Sequence, residues 1–215
     1  MITEFSKSNT VLNTFLRELR DLKIQGDSMR FRRNLERIGE IIAYEISKTL
    51  NYETVKITTP MAKTKSSIPV EEPVIATILR AGLPLHNGVL NYFDKAQNTF
   101  ISAYRKHGDQ NDFEVEIEYL ASPNIDGKTL ILCDPMLATG SSMVLAYKAI
   151  LEKGTPKKVH IVSVVASKSG MNFCIKNLPK EIDYWIGEID ETLDTKSYIV
   201  PGLGDAGDLA YGTKE

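Results

Sequence analysis

Apolar side chains recur at helical spacing at Leu12, Phe15, Leu16, Leu19 and Leu22, and again at Leu35, Ile38, Ile42 and Ile46. Two amphipathic helices are therefore predicted in the first 50 residues, with Gly26 and Asp27 marking the turn between them. The segment Thr54 to Thr59 alternates its side chains before Pro60, and the Lys-, Ser- and Pro-rich run to Pro73 reads as a loop or an irregular hairpin. The pattern then changes. Continuous apolar runs appear at Val74 to Leu79, Thr129 to Cys133 and Val159 to Val165, each followed by a Gly- or Ser-rich turn and a helical stretch. A strand without alternation is covered on both faces, so these runs predict an α/β fold with a mostly parallel sheet flanked by helices. Phe100 to Tyr104 and Glu114 to Leu120, separated by the polar run Lys106 to Asp112, predict a long hairpin projecting from that sheet.

Composition narrows the picture by exclusion. A chain of 215 residues fits one domain, and 42% hydrophobic with 25% charged residues is ordinary globular composition rather than that of a disordered chain or a disulfide scaffold. Cys133 and Cys174 lack metal-ligand spacing and sit among apolar residues, as expected of buried reduced thiols. No stretch approaches the roughly 18 apolar residues of a membrane span, and MITEFSKSNT lacks the basic-then-apolar order of a signal peptide. A cytoplasmic protein is expected, without membrane attachment. The 26 basic and 28 acidic residues give a net charge of −2, so no nucleic-acid partner is expected either.

The strongest chemical signal is residues 130–143, LILCDPMLATGSSM, where a buried strand ends at an acid and enters a small, hydroxyl-rich turn before a helix predicted over Val144 to Glu152. Gly140 allows close backbone approach, Thr139, Ser141 and Ser142 carry hydroxyl donors, and the N–H groups at a helix start carry partial positive charge. Together they suit a phosphate. On the residues alone an ordinary N-cap accounts for the turn equally well. No Gly-Lys-Ser/Thr follows, so it is not a nucleoside-triphosphatase loop.

An Asp at a strand end followed by Ala-Thr-Gly and hydroxyls resembles the phosphoribosyl-diphosphate (PRPP) loop of the type I phosphoribosyltransferases. The form Asp134-Pro135-Met136-Leu137-Ala138-Thr139-Gly140 is similar to that of the uracil phosphoribosyltransferases, with proline where most type I relatives have a second acid. Ile78-Leu79-Arg80-Ala81-Gly82-Leu83 looks like the family's diphosphate-contacting turn, Tyr104-Arg105 its hairpin arginine, and Tyr198 to Thr213, YIVPGLGDAGDLAYGT, its uracil-binding C-terminus. Two departures stand out: Ser141 occupies a place where many relatives have a second glycine, and Ala166-Ser167-Lys168-Ser169-Gly170 replaces the usual Ala-Ala-Pro-Glu-Gly turn.

The resemblance implies a type I phosphoribosyltransferase fold over 1–215, with a hood built from about 1–73 and 189–215. It also implies the reaction of uracil with PRPP to give UMP and diphosphate. Arg80, Arg105, the loop Asp134 to Ser142 and Asp205 would bind PRPP, and Asp134, Arg105 and Asp205 would carry the catalysis. Guanidinium groups suit a diphosphate because they donate bidentate hydrogen bonds, and Asp134 would face the ribose as it becomes cationic. Ile199, Gly204, Asp205 and Ala206 would hold uracil, largely through main-chain atoms. Mg2+ is implied with PRPP, though its protein ligands are not, and a homo-oligomer is expected. The alternative is a regulator of the same fold that senses nucleotides and binds RNA.

Three further features need weighing. Gly202-Leu203-Gly204-Asp205-Ala206-Gly207 satisfies the dinucleotide pattern G-x-G-x-x-G, but the eight residues after Gly207 leave no room for a crossover helix, so the match is coincidental. Seven basic groups (Arg17, Arg20, Lys23, Arg30, Arg32, Arg33, Arg37) stand among four acids in 17–37; some family members are activated by GTP, and a GTP site would be sought there. His86, His107 and His160 are assigned structural roles. Tyr198 to Tyr211 contains no lysine or arginine, so this run offers no partner for the carboxylate of orotate.

Overall fold

The computed structural model describes residues 1–107 and 113–213, with the backbone alone between 103 and 116. The strands are β1 (Ile2–Glu4), β2 (Tyr52–Thr58), β3 (Lys63–Pro69), β4 (Val74–Leu79), β5 (Gln97–His107), β6 (Phe113–Ala121), β7 (Thr129–Cys133), β8 (Met136–Leu137), β9 (Lys158–Ser167), β10 (Asp183–Asp190), β11 (Thr192–Leu193) and β12 (Ile199–Val200). The helices are α1 (Leu12–Arg20), α2 (Ser28–Ser47), α3 (Gly82–Leu90), α4 (Ser141–Ile150), α5 (Lys168–Asn177) and α6 (Ala206–Tyr211).

The main sheet runs β1-β10-β9-β7-β4-β5-β6, every pair parallel except β5 with β6. The buried runs behave as their composition predicts. Ile75, Ile131 and Cys133 point into the core beneath α1, α2 and α3, while Val74, Ala76, Leu130 and Leu132 point into the core beneath α4 and α5. Both faces are therefore covered, and each fully buried Leu or Ile contributes about 1.5 to 3 kcal/mol. From β4 the chain passes to β5 on one side; from β7 it passes to β9 on the other. The carboxyl ends of β4 and β7 thus flank a topological switch point, where open α/β sheets bind ligands.

The β5–β6 hairpin does not simply project from the sheet. Gln97 to Ser102 pair with β4, and the pairing of β5 with β6 shifts register between Ser102 and Ala103, where the hairpin leaves the sheet plane. The segment after Asn51 is more regular than its composition suggested, with β2 and β3 in unbroken antiparallel register from Tyr52 opposite Pro69 to Thr58 opposite Lys63. Pro69 sits at the end of an edge strand and Pro60 in the turn, places where a missing N–H does no harm. Asp27 proves to be the N-cap of α2, its side chain accepting from the Arg30 N–H.

Helices α2 and α3 meet backbone to backbone through Gly39 and Gly88. A Cβ on Gly88 would overlap the carbonyl oxygen of Glu36, and one on Gly39 that of Leu85. Since α3 begins straight after the β4 turn, this contact also fixes the turn. Gly88→Ala is expected to destabilise the protein by about 1 to 3 kcal/mol, lowering Tm by several degrees in a thermal melt. Gly26→Ala, where a Cβ meets nothing within 4 Å, serves as the near-neutral control; equal Tm values for the two variants would contradict the close packing.

Candidate active site

Strand β7 ends at Cys133, and β8 continues it along β9 in the same offset, Cys133 opposite Val162 and Met136 opposite Val165. Between them lie Asp134 and Pro135. Proline has no N–H to give the ladder, and its carbonyl instead accepts from both Val164 and Val165 (3.1 and 2.9 Å). The chain is thereby kinked at the one acid of the strand end. Asp134 Oδ1 accepts the Met136 N–H at 3.2 Å.

After Leu137 the chain turns into α4, which starts at Ser141 rather than Val144. Gly140 is its N-cap with φ 81°, and a Cβ there would lie 2.8 Å from the Gly170 carbonyl and 2.9 Å from Cys174 Sγ. Glycine is therefore required both by the left-handed backbone and by packing on α5. The carbonyls of this turn are held from behind: Ser167 Oγ donates to Ala138 O at 2.6 Å, and Cys174 Sγ faces Gly140 O at 3.7 Å. Ser167 also caps α5, accepting from the Gly170 N–H at 2.8 Å. The turn Ala166 to Gly170, which departs from the family pattern, thus braces the turn after β7. With its carbonyls engaged at the rear, the turn leaves its N–H side, at the start of α4, for an anion.

Arg80, Ala81, Ser102, Met136, Ala138, Ser142, Asp205, Ala206 and Gly207 line one cleft of about 720 Å³, together with Leu79 and Lys196 to Tyr198. Asp134, Leu137, Thr139 and Gly140 line a small adjoining cavity that shares Met136, Ala138 and Ser142 with it. Pro135 and Ser141 line neither; the Ser141 hydroxyl accepts from Thr139 Oγ1 at 3.1 Å. The Arg80 guanidinium donates to Asp208 Oδ1 at 3.0 Å and to the Gly212 carbonyl at 3.3 Å. Asp205 caps α6, its Oδ1 accepting the Asp208 N–H at 3.0 Å. Ile199 is buried in β12 and Gly204 stands one residue outside the cleft wall. Arg105 lies on β5 opposite Val115, and its side chain is outside the described residues, as is that of His107.

Three residues of the cleft, and Asp208 beside it, escaped the sequence reading. Ser102 sits where β5 shifts register; Lys196 and Ser197 form the turn before Tyr198; Asp208 was inside the quoted C-terminal string without a role. Among the described residues Ser197 is the one non-glycine with positive φ, 64°. Lys196 brings a cation to the same cleft from just outside the run Tyr198 to Tyr211, which has none.

The segment 17–37 is not a free basic face. Arg20 binds Asp190 at 2.9 Å and also Glu188, Arg30 pairs with Glu18 at 3.0 Å, Arg33 with Glu36 at 2.7 Å, and Arg32 donates to the Ala210 carbonyl at 2.6 Å. His86 and His160 are buried, and burial lowers both pKa values, that of His160 to about 4; Trp185 Nε1 donates to His160 Nδ1 at 3.1 Å. They are neutral structural groups. Both cysteines are free and buried, with thiol pKa values raised by burial. The G-x-G-x-x-G match leads only into the six-residue α6.

The sequence model of a family described as uracil phosphoribosyltransferase matches residues 6–213. A curated protein of that name from Porphyromonas gingivalis is 54% identical over 213 residues, covering 99% of both chains. The solved structure of an Aquifex aeolicus protein, 31% identical, superposes with a TM-score of 0.86 over 99% of this chain and 98% of that one. A hypoxanthine phosphoribosyltransferase from Staphylococcus aureus, 14% identical, superposes at 0.50 over 91% of this chain and 92% of its own, a likeness of fold. Among the described residues no helix is long and apolar enough to cross a membrane.

Burial raises the Asp134 carboxyl to about 7, against the smaller opposing effect of its hydrogen bond from the Met136 N–H. A raised carboxyl pKa stabilises the fold below the unfolded value, near 4, and that stability is lost as pH rises through about 7. Asp134→Asn, which keeps an acceptor for Met136, should therefore raise the Tm of the ligand-free protein at pH 8, by the equivalent of at most about 4 kcal/mol, and change it little at pH 4. Equal effects at the two pH values would show that the carboxyl does not titrate in this range.

Proposed function

The chain belongs to the uracil phosphoribosyltransferase family, and from that premise we propose that the cleft transfers the phosphoribosyl group of PRPP to uracil, releasing UMP and diphosphate. The observation that carries this reading is that the turn after β7 and the glycine-rich loop before α6 face one cleft, with Arg80 between them. The N–H side of Ala138 to Ser142 takes the phosphate of PRPP, and Arg80 and Arg105 take its diphosphate. Asp134 lies beside the ribose, where an ionised carboxylate stabilises the charge that develops as the bond to diphosphate breaks. Asp205 reaches toward PRPP from the other wall, while main-chain groups of Ile199, Gly204 and Ala206 present N–H to the uracil oxygens and C=O to its N3–H.

A divalent cation fits this site as a passenger of the substrate. Among the described residues no three acidic, histidine or cysteine side chains converge. Mg2+ is accustomed to sites of one or two carboxylates completed by substrate phosphates and water, and Asp134 and Asp205 are the acids available to it here. When bound it neutralises charge on the leaving diphosphate. GTP enters only through family resemblance, and the paired arginines of 17–37 lead us to place no GTP site there. We take the enzyme to be cytoplasmic and to work as a homo-oligomer with its hood assembled from about 1–73 and 189–215. The β2–β3 arm supports the oligomer, exposing Tyr52, Ile57, Met61 and Ile68 for a second copy to cover.

Purified protein with uracil, PRPP and Mg2+ should form UMP and diphosphate. Cytosine should be used at least ~10²-fold less well in kcat/KM, because two of its ring positions oppose donor to donor and acceptor to acceptor, each mismatch costing about 1 to 3 kcal/mol. Absence of UMP, with RNA retained instead, would support the regulator. Cytosine within tenfold of uracil would refute main-chain reading of the base.

Asp134 gives a separate kinetic expectation. If only the carboxylate is active, kcat/KM for PRPP should rise with pH through about 7 in the free enzyme. Asp134→Asn should lose this limb and reduce kcat by roughly 10² or more while weakening PRPP binding much less. A variant with near wild-type kcat would remove Asp134 from the catalytic groups.

A further inference from the structure

We propose that Asp208 is a positioning residue that couples the two substrate subsites by holding Arg80 on the helix of the uracil loop. The inference rests on the function proposed above, in which Arg80 meets diphosphate and residues 199–206 read the base. Asp208 is engaged at both its ends. Its main-chain N–H is held by the Asp205 carboxylate at 3.0 Å, and its own carboxylate accepts from Arg80 Nη2 at 3.0 Å. The second terminal nitrogen of Arg80 donates to the Gly212 carbonyl at 3.3 Å, so the guanidinium spans α6 from Asp208 to the residue after its last turn. It lies over Gly207, whose added Cβ would be 3.5 Å from Nη2.

Helix α6 has six residues, too few to be stable alone, so its position depends on such tethers. Arg32, from α2, holds the Ala210 carbonyl at 2.6 Å and belongs to the hood; Arg80 belongs to the turn after β4. One tether therefore comes from the fixed scaffold and the other from the diphosphate subsite. The Arg80–Asp208 pair is partly exposed, its side chains 39% and 32% accessible, and a pair of that kind contributes only about 0 to 1 kcal/mol to folding. Its use lies in orientation. Two of five guanidinium donors are engaged by α6, leaving three N–H groups for phosphate oxygens, and a restrained guanidinium loses less rotamer freedom when the ligand arrives. Diphosphate on Arg80 in turn fixes α6 and the loop that reads uracil, and the linkage acts equally in both directions.

The test is a double-mutant cycle with Arg80→Ala, Asp208→Ala and the double variant, read as KM for PRPP, KM for uracil and kcat, with Asp208→Asn as the conservative variant. Asp208→Ala should raise both KM values about fivefold or more with a smaller change in kcat, and Arg80→Ala should raise KM for uracil as well as for PRPP. In the Arg80→Ala background Asp208→Ala should add little, because it acts through Arg80. Asp208→Asn, whose amide oxygen can still accept from Nη2, should recover most of the uracil KM. A Tm within about 3 °C of wild type would confirm that Asp208→Ala is folded. Effects of Arg80→Ala and Asp208→Ala that multiply independently, or a uracil KM unmoved by Arg80→Ala, overturn the proposal while UMP formation stands. A wild-type protein that makes no UMP overturns the functional reading and this proposal together.

Discussion

The parallel pairing of β4 with β7, Val74 opposite Leu130 through Thr77 opposite Cys133, is the constraint on which the site depends. The two strands end side by side, yet the chain leaves β4 toward β5 and β7 toward β9, so the loops that follow them part and leave a crevice. Arg80 stands at one lip and Asp134 at the other without either having been placed by a contact between them. The strands are fixed by apolar side chains on both faces, and a slip of one residue would exchange those faces. The crevice thus inherits its geometry from hydrophobic burial, the strongest term available to the fold.

Leaving the N–H side of the turn after β7 open requires that its carbonyls be satisfied elsewhere. Here α5 does this, with Ser167 on Ala138 O and Cys174 against Gly140 O, at a separation so small that only glycine fits at 140. The cysteine is thus neither a redox group nor a ligand but a weak donor in a tight place. Asp134 carries the opposite burden. Its enclosure raises the carboxyl toward 7, so the site holds an acid that is uncomfortable when ionised. Under the function proposed above, the charge that develops on the substrate relieves that cost, the kind of conflict between stability and activity expected at a working acid.

The parts of the molecule governed by local rules were legible in the sequence. Val74 to Leu79 and Thr129 to Cys133 are strands to the residue, because continuous β-branched and leucine runs bounded by polar turns have few other ways to be buried. The turn after β7 was legible as a turn as well, since its glycine and hydroxyls act on their own neighbours. Boundaries set by distant contacts were not. Helix α4 begins three residues earlier than its apolar pattern because Gly140 is pinned by α5, and β2–β3 forms a regular hairpin that its lysines and serines concealed. Asp208 was inside a recognised string yet without a role, because its partner lies 128 residues away in the chain. Lys196 was missed for the opposite reason, as it precedes that string and reaches the cleft only through the β11–β12 turn.

A glycine-rich loop that exposes its main chain must do without the side chains that normally anchor a loop. Glycines at 202, 204 and 207 expose N–H and C=O groups, but the segment between β12 and α6 then has little of its own with which to stay in place. The anchors come from the first two helices and the turn between them. Arg20 holds Asp190, which accepts the Gly202 N–H at 2.9 Å; Gln25 links the Leu19 and Leu203 carbonyls at 2.8 and 3.2 Å; Arg32 holds Ala210. Beneath them Ile199, Leu203, Ala206 and Ala210 pack into the same core as Leu16, Leu35 and Ile38. This gives Arg20 and Arg32 of the arginine-rich N-terminal segment a role within the fold. Guanidinium groups are long, retain their charge and offer several donors, so they can hold the carbonyls and carboxylates of a glycine-rich loop from a neighbouring helix. Arg20 and Arg32, two of the basic residues that composition marked as a surface, are in the folded protein part of the scaffold of the glycine-rich loop and α6.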